Sequence, residues 1–235
     1  MPDQDPTSTS EDKPHHLGHR QRLKDRFMAA PEALPDYELL ELLLFHAVPR
    51  QDVKPVAKAL LDRFGSLAGL LAADPDRLKE FRLIGDAAVI LLKAVRQAGI
   101  RAAREQVAPD RPILSSWDAL LDYCRAKFAG LNHEQFHLLF LDRKNRLIAD
   151  ETQQKGTIDH TPVYPREVAR RALALEASAI IMVHNHPSGD PTPSRADIDM
   201  TRQIQAALKA VGVTLHDHLV IGSRGHVSFK AQGLV

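Results

Sequence analysis

The feature that most constrains this chain is a pair of histidines at the end of an apolar segment. Residues 178–183 form an almost unbroken apolar run, which is typical of a buried strand, and His184 and His186 follow it directly. Because residues i and i+2 of a strand point to the same face, both imidazoles can be offered to one point. The sequence therefore predicts a buried strand that ends in two nitrogen ligands.

A carboxylate follows at a spacing that suits the same point. A proline-rich loop at 187–193 leads to Ser194 and then to Asp197, in the opening turn of the next predicted helix. Two imidazoles and one carboxylate, with a fourth position for water, are the ligands of a catalytic zinc site, with metal–nitrogen distances of about 2.0–2.1 Å. Ser194 and Asp197 are also a helix-start signal, with the serine as N-cap. The two interpretations are compatible, because capping would hold Asp197 where a ligand is needed.

The whole pattern, His-x-His, seven residues, Ser, two residues and Asp, resembles the signature of the JAMM metalloenzymes. The strings at 164–167, 184–191 and 217–222 resemble the bacterial RadC branch of that family, and the likeness extends from about Gly18 to Val235. The resemblance implies an α/β fold, a mixed-sheet JAB/MPN-type (cytidine-deaminase-like) domain preceded by a small all-α bundle. It also implies one zinc ion (Zn2+) held by His184, His186 and Asp197.

The same resemblance implies two catalytic groups besides the metal. Ser194 would polarise the scissile carbonyl or stabilise the oxyanion, and an upstream glutamate would act as general base. Glu134 opens the first strand after the first helix of the domain, where the glutamate of the family belongs. Glu151, before the turn at Gly156, is the alternative. Without the resemblance, Glu134 would be an ordinary surface carboxylate at a strand start.

Hydrophobic periodicity divides the chain into four parts. We predict a disordered tail at 1–16, a helical domain at 17–107, a proline-containing linker at 108–115 and a metallohydrolase domain at 116–235. Asp36 is predicted to cap the second helix of the helical domain. A first helix is predicted from Gly18 onward, and the further predicted helices are 37–46, 53–64, 66–72, 75–81, 86–104, 116–129, 165–176 and 194–211. The predicted strands are 134–141, 146–151, 155–159, 178–184, 213–221 and 226–229.

Residues 81–95 resemble a helix-hairpin-helix, in which a Gly-x-Gly turn approaches a DNA phosphate. Leu83 replaces the first glycine, and its side chain disfavours positive φ and close backbone approach. Through Asp110 the chain has 16 Lys and Arg against 17 Asp and Glu, which is not the basic surface of a DNA-binding module. Four basic side chains remain for phosphate contact: Lys93, Arg96, Arg101 and Arg104. DNA contact through residues 81–104 is therefore the weaker expectation, and a scaffold or docking role is the stronger.

Composition limits the classes of protein further. No apolar run approaches the roughly 20 residues that span a bilayer. The polar N-terminus has no export signal, so we expect a cytoplasmic protein without a membrane partner. The single cysteine, Cys124, excludes an internal disulfide and a cysteine zinc knuckle. A second His-x-His, at His216 and His218, has no third ligand nearby and is predicted to pack or to hydrogen-bond behind the metal ligands.

Two functions remain open at this point. The first is a zinc metallopeptidase or isopeptidase that cuts an amide in a protein or small conjugate. The second is a DNA repair or recombination accessory that binds DNA or a repair partner, with a structural or relict metal site. The complete ligand set favours the first, because a relict site would be expected to have lost a ligand.

Overall fold

The structure, a computed structural model, describes residues 15–107, 112–113, 117–155 and 163–235, except the side chains of 15–17 and 154–155. The predicted tail therefore lies outside the described residues apart from His15 and His16, which begin the first helix. The strand predicted at 155–159 also lies outside them beyond Lys155.

The first part of the chain folds as a helical bundle. It also contains a 3-10 turn at Pro31–Ala33. Its helices are α1 (His15–Ala29), α2 (Asp36–Ala47), α3 (Lys54–Phe64), α4 (Leu67–Ala72), α5 (Pro75–Lys79) and α6 (Asp86–Gln106). Leucines at helical spacing, among them Leu40, Leu44 and Leu60, form a fully buried core. The prediction that Asp36 caps α2 is wrong: Pro35 occupies the cap position, and Asp36 is the first helical residue.

The turn between α5 and α6 adopts a conformation that its leucine does not favour. Leu83 has φ +79°, in the left-handed region that costs a non-glycine residue roughly 1–2 kcal/mol. Leu83 packs against the bundle core, and its neighbour Ile84 is buried in it. Burial of these two side chains offsets the backbone cost, so Leu83 adopts a positive φ although its side chain disfavours one.

Helix α6 connects the bundle to the second part of the chain. Its first half packs in the bundle through Val89 and Leu92, whereas Ile100 and Val107, at its far end, belong to the core beneath the sheet. Farther along, α7 (Trp117–Phe128) packs on α6. The guanidinium of Arg96 also donates to the backbone oxygen of Lys127, at 2.8 Å.

The second part is a five-stranded mixed sheet with helices on both faces. Within the described residues, the sheet order is β2-β1-β3-β4-β5, and only the pair β3 and β4 is parallel. The strands are β1 (Gln135–Leu141), β2 (Leu147–Lys155), β3 (Ala179–Asn185), β4 (Thr214–Gly222) and β5 (Gly225–Ser228). Two further helices, α8 (Pro165–Ala174) and α9 (Arg195–Ala210), pack opposite α7. The predicted α/β class and mixed sheet are confirmed.

Strand β3 is central and buried on both faces. Ile181 and Val183 face the α7 side, whereas Ile180 and Met182 face α8 and α9. His184 continues the second set, so the strand directs its imidazole toward the α9 side. Within the described part of the chain, no helix has both the length and the apolar character needed to cross a membrane.

Candidate metal centre

Three side chains predicted as metal ligands converge at the carboxyl end of β3. The Nε2 atoms of His184 and His186 lie 3.0 Å apart. Asp197 Oδ1 lies 3.5 Å from Nε2 of His184, and Asp197 Oδ2 lies 3.5 Å from Nε2 of His186. Two donor atoms at about 2.05 Å from a tetrahedral zinc ion are separated by roughly 3.3 Å. The measured separations fit one such ion. Among the described residues, this is the one cluster of three or more histidine, cysteine or acidic side chains with metal-binding spacing.

The turn into α9 holds Asp197 in position. Ser194 caps the helix, and its Oγ accepts from the backbone N–H of Asp197 at 3.1 Å. The Ser194 backbone N–H and hydroxyl both donate to Asp197 Oδ2, at 2.7 and 2.6 Å. The capping box predicted from the sequence is therefore present, and the same contacts direct the carboxylate toward the two histidines.

A chain of hydrogen bonds fixes the tautomer of His184. The Thr201 hydroxyl donates to the backbone oxygen of Asp197 at 2.6 Å, so its oxygen can only accept from His218 Nδ1, 2.7 Å away. His218 Nε2 must then accept from His184 Nδ1, at 2.7 Å. Burial lowers the pKa of His218 well below its ordinary value, consistent with one proton on this ring. His184 therefore presents a lone pair at Nε2 to the cluster.

A hydrogen bond to the loop that follows His186 fixes the tautomer of this histidine as well. Its Nδ1 lies 2.8 Å from the backbone oxygen of Asp190, which can only accept, so this nitrogen has the proton. Both histidines thus direct Nε2 lone pairs at one another across 3.0 Å, beside a carboxylate. Three acceptors at this distance repel one another unless a cation lies between them. The donor set therefore fits a divalent metal ion.

The charges of the cluster agree with this assignment. Burial raises the pKa of Asp197, but the nearby imidazoles of His184 and His186 and the hydrogen bond from Ser194 outweigh burial and hold the pKa well below its usual range. The nearby carboxylate of Asp197 is also the chief cause of the raised pKa of His186. His184 is fully buried, and Phe136 stacks over its ring with 6.1 Å between centroids. The ligands therefore combine a fixed negative charge with an apolar surround.

Glu134 lies next to this centre, immediately before β1. Its negative charge contributes to the raised pKa of His186, and its side chain is partly exposed. Within the described residues, its carboxylate makes no hydrogen bond or ion pair with another side chain. Glu134 is thus near the cluster and available to a substrate or a water molecule.

Asn185, between the two histidines, fixes the backbone on both sides of Glu134. Its Oδ1 accepts from the backbone N–H of Gln135 at 2.9 Å, and its Nδ2 donates to the backbone oxygen of His133 at 3.0 Å. The side chain is buried. The end of β3 therefore holds both the metal ligands and the segment with the glutamate.

Glu151, the alternative base, is engaged elsewhere. Its carboxylate forms a two-pronged ion pair with the guanidinium of Arg171 on α8, with Arg171 Nε at 2.8 and 3.1 Å from the two oxygens. Hydrogen bonding to Arg171 lowers its pKa. In the sheet, Glu151 of β2 lies opposite Leu138 of β1. Leu138 is two residues along β1 from Phe136, which lies opposite His184 of β3. The geometry favours Glu134 over Glu151.

Sequence reasoning missed Thr201 and Asn185 and left His218 with two possible roles. A Thr at this place in α9 has no local signal, because its partner His218 is contributed by β4. Asn185 was visible only as the residue between two histidines. His216, the other member of the second pair, hydrogen-bonds Asn145 at 2.7 Å, away from the cluster.

Two of the four basic side chains predicted to contact phosphate, Lys93 and Arg96, form hydrogen bonds within the protein. Lys93 Nζ donates to the backbone oxygens of Leu71, at 2.9 Å, and Ala73. Arg96 is held by α7, as described above. Two of the four side chains therefore complete the ends of neighbouring helices rather than face solvent.

Comparison with known proteins agrees with the position of the cluster. A family model described as a RadC-like JAB domain matches residues 114–234, which include all three candidate ligands. A UPF0758 protein of Rhodobacter capsulatus is 61% identical over 214 residues, covering 91% of this chain and 100% of the relative. A UPF0758 protein of Ruegeria pomeroyi is 57% identical over 216 residues, covering 92% of this chain and 96% of the relative.

Proposed function

The chain belongs to the RadC-like JAB domain family, and from that premise we propose that it is a zinc-dependent hydrolase of the JAMM type, a metallopeptidase or isopeptidase. One observation supports the proposal above all others. Two imidazole lone pairs and a carboxylate point at one place, and hydrogen bonds from behind fix both tautomers. A helix cap alone would require Ser194 and Asp197 but neither histidine.

Each residue at the metal centre would have a separate role in amide hydrolysis. His184, His186 and Asp197 would hold the ion. When bound, zinc supplies a Lewis acid that lowers the pKa of a water molecule toward about 7 and polarises a carbonyl. Glu134 would take the proton of the attacking water and later give it to the leaving amine. Asn185 keeps the backbone of that glutamate in register with the ligands.

Ser194 could orient the Asp197 carboxylate or stabilise an oxyanion, and its hydrogen bonds bear on both roles. Its hydroxyl proton is donated to Asp197, so in this arrangement the serine orients the carboxylate. To stabilise an oxyanion, the hydroxyl would have to turn away from Asp197, leaving the Ser194 backbone N–H to hold that oxygen alone. A single oxyanion donor is worth about 2.7–4 kcal/mol in enzymes where one has been removed.

Zinc content and amide cleavage test the proposal together. We expect zinc-loaded protein to contain one ion per chain, His184→Ala to lose it and His216→Ala, a histidine outside the cluster, to keep it. Primary-amine release from a pool of peptides and isopeptides should require both zinc and Glu134. Retention of wild-type zinc content by His184→Ala would overturn the assignment of the ligands.

The DNA-accessory function is the second candidate, and one observation favours it. Leu83 keeps the positive φ of a helix-hairpin-helix turn, and the space beside the Cα of Gly85, the N-cap of α6, is open. The engagement of Lys93 and Arg96 opposes it. Salt-dependent binding of duplex DNA by the full chain, lost in Arg82→Gln and unaffected by chelation, would support this alternative over the hydrolase.

A further inference from the structure

A cleft beside the metal centre is formed jointly by the helical bundle and the sheet domain. Its cavity volume is about 320 Å³, and its lining includes His186, Pro187 and Gly189 from the sheet domain. The same lining includes Arg63, from the last turn of α3, and Arg77, from α5. The bundle therefore contributes side chains to the space that a substrate at His186 would occupy.

The two arginines bring positive charge to this cleft. Among the described residues, no carboxylate forms an ion pair with either guanidinium. Arg77 is partly buried, and its Cζ lies over the ring of Phe64, 5.5 Å from the centroid. A cation–π contact of this kind restrains the side chain and leaves its N–H groups available to a ligand.

Tight packing between the two domains fixes the cleft. Gly130, which follows α7, has φ +76° and lies against the backbone of α4. A Cβ there would be 2.7 Å from the backbone nitrogen of Gly69. Only a glycine fits this close approach. The hydrogen bond from Arg96 to Lys127 joins the same elements. The positions of the arginines relative to His186 are therefore set by the fold.

We propose that this cleft binds a carboxylate group of the substrate, so that the enzyme acts on amides with an acidic substituent near the scissile bond. The inference rests on the proposed hydrolase function and names its substrate class. Guanidinium groups bind carboxylates through paired N–H donors, and two of them line this space without an ion-paired carboxylate from the described part of the chain. Peptides and isopeptides supply such groups as acidic side chains or a free C-terminus.

Hydroxamates that bind zinc at one end can measure the contribution of the cleft. The probes are monohydroxamates of dicarboxylic acids, from succinic to suberic acid, each paired with a control in which a primary amide replaces the free carboxylate. Affinity for the zinc-loaded full chain is measured by calorimetry. We expect the best carboxylate probe to bind about 10-fold tighter than its amide control, as charge-assisted hydrogen bonds to Arg imply.

Variants connect that preference to the two arginines. The double variant Arg63→Gln, Arg77→Gln should lose the preference while it keeps its zinc and still unfolds in one cooperative transition. Arg82→Gln, which removes an exposed positive charge on the same bundle outside the cleft, should keep it. The preference should also weaken as salt concentration rises.

The possible results separate this inference from the proposed function. Equal binding of carboxylate and amide probes, or a preference that survives the double variant, would overturn the inference and leave the zinc site intact. A probe in which a phosphonate replaces the free carboxylate serves as a further comparison. If it binds tighter than every carboxylate probe, the inferred preference for a carboxylate is also overturned. Failure of all hydroxamates to bind zinc-loaded protein would instead contradict the proposed function.

Discussion

The hydrogen-bond chain behind His184 provides the sharpest test of how this centre is built. Replacing Thr201 with Val removes one hydroxyl and leaves every proposed metal ligand in place. In the wild-type protein that hydroxyl accepts from His218 Nδ1 at 2.7 Å and donates to the Asp197 backbone oxygen at 2.6 Å. Without it, His218 can adopt the other tautomer, and His184 loses the acceptor that directs its lone pair inward.

Two separate magnitudes follow from the structure. Thr201 and His218 are buried, so the variant leaves a buried donor unsatisfied, at a cost of about 1–3 kcal/mol in the free energy of unfolding of the metal-free protein. Loss of the partner behind a histidine ligand typically lowers metal affinity 10–100-fold. We therefore expect Thr201→Val to bind zinc about 10–100-fold more weakly, equivalent to roughly 1.4–2.7 kcal/mol.

Chelator competition measures zinc affinity, and urea unfolding of the metal-free protein measures stability. Ser228→Ala is the matched control. It removes a hydroxyl that donates to the buried carboxylate of Asp217, at 2.6 Å, in the same domain. This control should lose comparable stability and keep wild-type zinc affinity.

Zinc affinity of Thr201→Val within error of the wild type, with stability reduced as in Ser228→Ala, would refute the tautomer argument. His218 would then be a packing residue behind an independently oriented His184.

Further predictions concern the proposed base, the cap and a buried ion pair. Glu134→Gln should lower amide turnover about 10²–10⁴-fold with zinc still bound, because it removes the proton acceptor. Asn185→Ala should lower turnover about 10-fold at unchanged zinc content, since the backbone around that glutamate loses both of its restraints. Ser194→Ala should cost about 1 kcal/mol in unfolding free energy and lower turnover about 10²-fold. Asp150→Asn should cost about 3 kcal/mol, measured by urea unfolding at pH 7, because it leaves the Lys127 ammonium without its counter-charge.

Each of these expectations has a result that contradicts it. Full turnover in Glu134→Gln would exclude that residue as the base, and full turnover in Ser194→Ala with reduced stability would leave the serine as a cap alone. Zinc loss in Asn185→Ala would mean that the asparagine supports the ligands rather than the glutamate. Unchanged stability in Asp150→Asn would show that Lys127 reaches water freely.

The ion pair between Asp150 and Lys127 also predicts how the free energy of unfolding changes with pH. Burial raises the pKa of Asp150, but hydrogen bonds and charge from His137 and Lys127 outweigh it and lower the pKa below its ordinary value. A lowered folded-state pKa contributes stability above the unfolded value of about 3.9, and that contribution is lost as the pH falls below it. The stability difference between wild type and Asp150→Asn should therefore be constant near pH 6 and shrink below about pH 4.

The three candidate ligands could be located from the sequence because their geometry is local. Strand alternation brings His184 and His186 to one face, and helix capping holds Asp197 three residues after Ser194. The strand and helix pattern of the C-terminal domain followed for the same reason, since periodicity is set by neighbours along the chain. The second helix of that domain ends at Ala174 instead of residue 176, because Glu176 has φ +52° and Ala177 N–H bonds back to Ala172.

The features that escaped prediction depend on contacts between distant segments. The partner of Thr201 is contributed by another strand, and Asn185 bridges 50 residues to Gln135. Leu83 adopts an unfavourable φ because it packs against the core of the bundle. That core is assembled from several helices, so the residues next to Leu83 in the sequence do not predict it. Helical periodicity likewise could not show that Arg77 lines the same cleft as His186, since that depends on how the bundle packs on the sheet domain.

X-ray absorption spectroscopy of the zinc-loaded protein tests the central claim most directly. We predict one zinc ion per chain with two imidazole nitrogens and oxygen donors at about 2.0–2.1 Å. His186→Ala, like His184→Ala, should lose this zinc signal. A zinc environment without imidazole, or one unchanged by that substitution, would contradict the proposed metal centre and the hydrolase function with it.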